Sequence, residues 1–145
     1  MNIKETGQLD EILKGTSLEE IDRYVLEEGL LPEYTIQTYF NEYIAKHGLK
    51  VSVIVEKSRI AREYAYQILN GRKKNPSRDK LLSLCLGAEM ELKDVQRILH
   101  ISHQGILYSK NVRDAVIIVC IHHRIYDIDE INEYLKEKGC TAIGC

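Results

Sequence analysis

Proline occurs only twice and glycine nine times in the 145 residues, and no tract is of low complexity. So few chain breakers argue against a disordered linker. No apolar run approaches the ~20 residues that a membrane-spanning helix needs. The opening Met-Asn-Ile-Lys-Glu-Thr-Gly is neither a signal peptide nor a myristoylation site, so the cytoplasm is the expected location. Signatures of catalysis are missing as well: there is no Gly-rich phosphate loop, no GxSxG and no HExxH, and no enzymatic activity is expected. The four cysteines, Cys85, Cys120, Cys140 and Cys145, form neither a CxxC pair nor a prenylation box. Cys85 and Cys120 lie in apolar helical stretches, where they pack as small hydrophobes, and a reducing compartment suits all four. No cysteine stands at zinc-finger spacing from His100, His103, His122 or His123, so neither a metal nor a cofactor is expected. His122 and His123 instead suit a last helical turn, where cationic side chains complement the dipole.

What the chain does have is ordinary globular composition, 44% apolar and 29% charged, with a net charge of −2 that is unevenly spread. Residues 57 to 80 hold eight basic side chains against two acidic ones, a balance of +6, whereas residues 1 to 47 hold four against ten, or −6. A segment that positive is either a phosphate-binding surface or a solvated loop beside an acidic arm.

Inside the basic segment two short helices are written in succession. Val51, Ile54 and Val55 share one helical face, and Ala61, Ala65, Ile68 and Leu69 share another. Ser58 and Arg59 supply the turn between them and Ile60 an apolar plug. Asn70-Gly71 is a strong stop, followed by Arg72, Lys73, Lys74 and then Asn75-Pro76, which cannot continue a helix. This stretch resembles the helix-turn-helix of the lambda-repressor and Cro superfamily (the XRE-type domain). The residues that carry the resemblance are Gly48-Leu49, Ile54, Ile60, Ile68, Gly71, the basic run Arg72 to Lys74, and Asn75-Pro76-Ser77. With a first helix at 35 to 47 and a fourth at 79 to 88, it covers roughly a third of the chain. Val51 stands where the family often has Gln, and Arg59 where the turn usually has Gly. A side chain at that turn must either avoid or accept a left-handed backbone.

The remaining chain also reads as helix. Residues 8 to 14 form a short amphipathic helix, and a second, capped by Ser17 with Glu20 at the capping-box position, stops near Gly29 before Pro32. The helix at 35 to 47 turns Ile36, Tyr39, Phe40, Tyr43 and Ile44 to one face. Leu92, Val95, Ile98 and Leu99 point inward on a later helix, and Leu107-Tyr108 forms a buried turn after Gly105. The run Ala115 to Ile121 is rich in β-branched residues. Asn111 with Asp114 makes a helix N-terminus, however, and no second strand exists to pair with it. A helix is therefore expected over 111 to 124, apolar all round and buried on every side, in the centre of the protein or in a dimer interface. The last helix, 129 to 138, turns Ile131, Tyr134 and Leu135 inward.

These elements predict an all-α protein of seven to eight helices: an acidic helical arm at 1 to 33, a lambda-repressor-like helix-turn-helix bundle at 34 to 88, and a C-terminal helical extension at 89 to 145 packed on it. The resemblance implies a cytoplasmic, bacterial-type regulator of transcription that binds duplex DNA sequence-specifically, with residues 61 to 70 in the major groove. Arg62, Glu63, Tyr64 and Gln67 would read bases. Ser52, Tyr66, Asn70, Arg72, Lys73 and Lys74 would hold phosphates. A homodimer built on helices 111 to 139 is a further expectation, as is the absence of membrane association. The alternative is a protein-interaction module that keeps the fold and has lost DNA binding. Val51, two exposed tyrosines and the acidic arm suit that alternative.

Overall fold

The chain divides into two units, Met1–Tyr34 and Thr35–Cys145. The computed structural model describes residues 35 to 144. The acidic arm, with its two expected helices, lies outside the described residues.

Among the described residues there are seven helices and no strand. They are α1 (Ile36–His47), α2 (Val51–Ser58), α3 (Arg62–Leu69), α4 (Arg78–Gly87), α5 (Leu92–Ile101), α6 (Val112–His122) and α7 (Ile128–Glu137). Local chemistry fixes several starts. Thr35, Ser77 and Asn111 each accept a backbone N–H three residues on, and Asp127 accepts from Asp129 and Glu130. The expected cap at Asn111 is thus present, and the β-branched run after it is helical.

Gly48 and Gly139 take left-handed backbone where α1 and α7 end. Four other helix ends do the same without glycine: Arg59, Glu89, His103 and Arg124 follow α2, α4, α5 and α6 with φ of 61°, 52°, 60° and 57°. Arg59 therefore accepts the left-handed conformation that its place in the turn demands.

The core is organised by α4. Every residue from Leu81 to Ala88 is buried, and the helix packs against α2 on one side and α5 on another. At its C-terminal end the crossing with α2 is so close that a Cβ on Gly87 would lie 2.6 Å from the Ile54 carbonyl oxygen and 3.2 Å from the Ser58 nitrogen.

Within one chain residues 115 to 121 are not buried on every side, so the central placement expected for them is not what the structure shows. Ile117, Cys120 and Ile121 are buried, but Ala115, Val116 and Ile118 are only half covered, and Val119 is 54% exposed. The reason is topological. Helix α6 packs on α5 and α7, which leaves one of its sides open. Three smaller expectations also change. Ala61 is the exposed residue before α3 rather than part of its buried stripe. Tyr134 is 40% exposed, and at 107–108 only Leu107 is buried, Tyr108 being 56% exposed.

Two amide side chains pin the connecting loops. Gln96 donates to the Leu107 carbonyl (2.9 Å) and accepts from its N–H (2.7 Å). Asn132 does the same for Ile143, at 3.0 and 2.7 Å. Each pairs both backbone groups of a buried residue that has no helix to satisfy them. No helix among the described residues is long and apolar enough to cross a membrane.

Candidate nucleic-acid interface

Helices α2 and α3 are joined by three residues, Arg59, Ile60 and Ala61. Ser58 makes this turn self-contained. Its buried hydroxyl donates to the Val55 carbonyl (2.6 Å) and accepts from the Ile60 N–H (3.3 Å). Ile60 is buried as expected of a plug. Ala65, Ile68 and Leu69 then bury the inner face of α3, which packs on α1 and α2.

The outer face carries the residues expected to read bases. Arg62 and Glu63 are exposed, whereas Tyr64, Tyr66 and Gln67 are half-buried. The Arg62 guanidinium lies over the Tyr66 ring at 5.6 Å, one helical turn away. Tyr64 is shared by two ammonium groups, Lys73 and Lys80, each 5.4 Å from its ring centre. The basic loop and the first turn of α4 thereby converge on α3.

The loop itself is held at both ends. Asn70 accepts the Arg72 N–H on its side-chain oxygen (2.9 Å), and the Lys73 N–H donates to the Gln67 carbonyl (2.9 Å). At Gly71, with φ of 84°, a Cβ would press on the Gln37 side chain of α1 at 2.3 Å. Farther on, Gln104 donates to the carbonyl of buried Pro76 (3.2 Å). Between these anchors Arg72, Lys73, Lys74 and Asn75 are exposed. Of the expected phosphate-holding residues, Tyr66, Asn70, Arg72 and Lys73 are therefore tied into α3 or the loop after it. The Ser52 side chain on α2 and that of Lys74 are exposed and make no hydrogen bond among the described residues.

Ion pairing narrows the positive segment. Lys57 pairs with Glu89 (3.1 Å), Arg59 with Asp129 (2.8 Å) and Arg78 with Asp114 (2.8 Å). Asp79 in turn is held by Arg113 at 2.8 Å. Three of the eight basic side chains are thus spent on the fold. The other five, Arg62, Arg72, Lys73, Lys74 and Lys80, stand outside every ion pair among the described residues, with Glu63 as the one acid in that segment left unpaired. No family model, curated protein or solved structure matches the chain.

Lys80 is the residue that sequence reasoning leaves out of the site. It counts toward the charge of the segment, but its place over Tyr64 depends on how α4 is set against α3. Cys85 and Cys120 are both buried. Burial pushes the Cys85 thiol far up, with the Asp94 carboxylate adding to the effect, and burial raises Cys120 as well. Both remain protonated and inert at neutral pH.

Proposed function

We propose that the protein is a sequence-specific DNA-binding regulator, with α3 entering the major groove and α1 to α4 arranged as in the lambda-repressor and Cro superfamily. The observation that carries this function is the convergence of Arg62, Lys73 and Lys80 on the tyrosines of α3. A helix whose outward face is ringed by unpaired cations suits a polyanion with a groove. In this assignment Arg62 contacts guanine, Gln67 contacts adenine and Glu63 accepts from cytosine, with Tyr64 beside them. Ser52, Tyr66, Asn70, Arg72, Lys73 and Lys74 meet phosphates. Lys80 joins that phosphate group because it shares the Tyr64 ring with Lys73.

The turn supports the same function. Left-handed Arg59 and the buried Ser58 hydroxyl fix the angle between two eight-residue helices, and a rigid angle is what presents one helix to a groove. The competing function, a protein-interaction module on the same fold, is supported by half-buried Tyr64 and Tyr66 beside an arginine, a composition common in protein interfaces. Binding to generic duplex DNA at low salt, repeated across salt concentrations, separates the two. A polyanion binder loses affinity steeply as salt rises, and a protein-interaction module shows no duplex binding at all.

A further inference from the structure

Helices α6 and α7 enclose a groove of about 570 Å³, within the range of small-molecule sites. Its walls are apolar: Val112, Val116, Val119 and Cys120 from α6, Tyr134 from α7, and Ile125 from the loop between them. Val112, Val119 and Tyr134 are 59%, 54% and 40% exposed, so the apolar lining is open to an occupant.

The groove is polarised along its length. Arg113, at the start of α6, donates to the carbonyls of Thr141 and Ala142, just past the end of α7, at 2.9 and 3.1 Å. The two helices therefore run antiparallel, and the start of α6 lies beside the end of α7. That end of the groove gathers Lys110 and Ser109 from the approach to α6, with Lys138 and Glu137 from the end of α7. Ile125 and His123 line the far end, at the inter-helix loop. Two ammonium groups against one carboxylate leave the mouth net positive, and the floor leading away from it is apolar.

We propose that this groove binds an amphipathic anion, an aliphatic chain lying on Val116, Val119 and Tyr134 with its carboxylate head at Lys110 and Lys138. Charge complementarity selects this occupant. The cations sit at one end and apolar side chains line the rest, which matches a molecule charged at one end and apolar along its length. A cationic or neutral head gains nothing from the lysine pair.

The groove is also mechanically coupled to the basic loop. Arg113 and Asp114, in the first turn of α6, hold Asp79 and Arg78, in the first turn of α4, and Lys80 follows directly. Resting on the DNA-binding function proposed above, the anion is then an effector of that binding. Occupancy itself does not depend on that function.

The test titrates the whole 145-residue chain, without DNA, against octanoate, octanol and octyltrimethylammonium by calorimetry. Saturable one-to-one binding is expected, with octanoate tighter than octanol by about tenfold, the gain of roughly one charge-assisted contact. Lys110→Glu combined with Lys138→Glu should abolish that preference while octanol still binds. Val119→Glu, at an exposed position that leaves the fold intact, should abolish binding of both, with an unchanged melting temperature as the control. Absence of saturable binding, a preference for octanol or the cation, or binding indifferent to Val119→Glu overturns the proposal. So does a protein that binds none of the three and is a dimer that Val119→Glu dissociates, since the groove is then an interface between two copies. A separate duplex-binding assay with and without octanoate reads the regulatory coupling, so loss of the DNA function leaves the calorimetric result unaffected.

Discussion

Arg78 and Asp114 lie 36 residues apart and meet through two parallel hydrogen bonds of 2.9 and 2.8 Å. Four of the five guanidinium N–H groups are engaged, since it donates also to the carbonyls of Gly105 (2.8 Å) and Ile106 (3.0 Å). Their chain neighbours repeat the arrangement with the signs exchanged: Arg113 holds Asp79 through bonds of 3.1 and 2.8 Å. Two Arg-Asp dipeptides thus clasp each other at the first turns of α4 and α6, and they tie the central helix to the C-terminal pair. Asp114 is 5% exposed, so removing its partner strands a buried carboxylate. Arg78→Ala should cost about 3 kcal/mol, at the lower end of the range for broken buried pairs because Arg78 is partly solvated. Urea denaturation measures it, and a loss under about 1 kcal/mol would mean that the clasp contributes little.

The same pair sets an acid limb of stability. Burial alone would raise the pKa of Asp114, but the Arg78 guanidinium, the Tyr108 N–H and the charges of Arg78 and Arg113 together hold it below the ordinary carboxylate value. A group depressed in the folded state contributes its stability above its unfolded pKa, about 3.9, and loses it as pH falls through the lower folded value. Stability should therefore fall below about pH 4, and Asp114→Asn should flatten that decline while lowering stability at neutral pH. Thermal unfolding across the acid range up to neutrality reads both effects. An unchanged acid limb in the variant would assign the decline to other carboxylates.

At Gly87 two effects compete. Alanine is the better helix former by roughly 0.5–1 kcal/mol. Its Cβ, however, would sit 2.6 Å from the Ile54 carbonyl oxygen, a backbone atom that can move only if α2 moves. Overpacking of this kind costs roughly 1–3 kcal/mol, so Gly87→Ala should be net destabilising by about 1–2 kcal/mol. A stabilised variant would show that α2 and α4 separate easily.

Arg59 poses the opposite case. Left-handed backbone costs a side-chain-bearing residue roughly 1–2 kcal/mol, and the ion pair to Asp129 is exposed on both sides, where such pairs contribute ~0–1 kcal/mol. Arg59→Gly should leave stability unchanged or raise it by up to about 1 kcal/mol in chemical denaturation, net of the backbone entropy that glycine adds to the unfolded chain. A clear loss would mean that the contact with α7 outweighs the strain.

How much of this can be read from the residues varies by element. The stripe of α3 and its stop at Asn70-Gly71 are legible because local spacing and turn chemistry decide them, as Asn111 decides the start of α6. Which apolar helix lies at the centre is not legible. Leu81 to Leu86 and Ala115 to Ile121 are both nearly continuous apolar runs, and composition does not say how many neighbours each will have. The structure puts helices around α4 and leaves one side of α6 bare. The clasp of Arg78 with Asp114 is hidden for a similar reason. In the sequence Arg78 counts toward a positive surface, and only the tertiary pairing shows that its charge is consumed. Lys80 departs the other way, its place beside Lys73 depending on the angle between α3 and α4.

The site variants should separate holding from reading. Lys73→Ala, Lys74→Ala and Lys80→Ala should each weaken binding to all duplexes alike and reduce the salt slope by ~1, because phosphate contacts carry no sequence information. Tyr66→Ala should lose fold stability together with binding, since Tyr66 is half-buried and lies under Arg62. Calorimetric melting alongside a binding isotherm distinguishes this variant from the lysine series. A Tyr66→Ala protein that melts normally would place the ring wholly at the nucleic-acid surface.

Selection of bound sequences from a random duplex library by the purified protein, run in parallel with Arg62→Ala, tests DNA reading by α3 most directly. The expected result is a defined site for the native chain. The variant should lose roughly 1–3 kcal/mol on that site and its preference at a single base pair, the signature of one lost base contact. Failure of the native chain to retain any duplex at low salt would contradict DNA binding altogether. A site recovered unchanged by Arg62→Ala would contradict the placement of α3 in the groove.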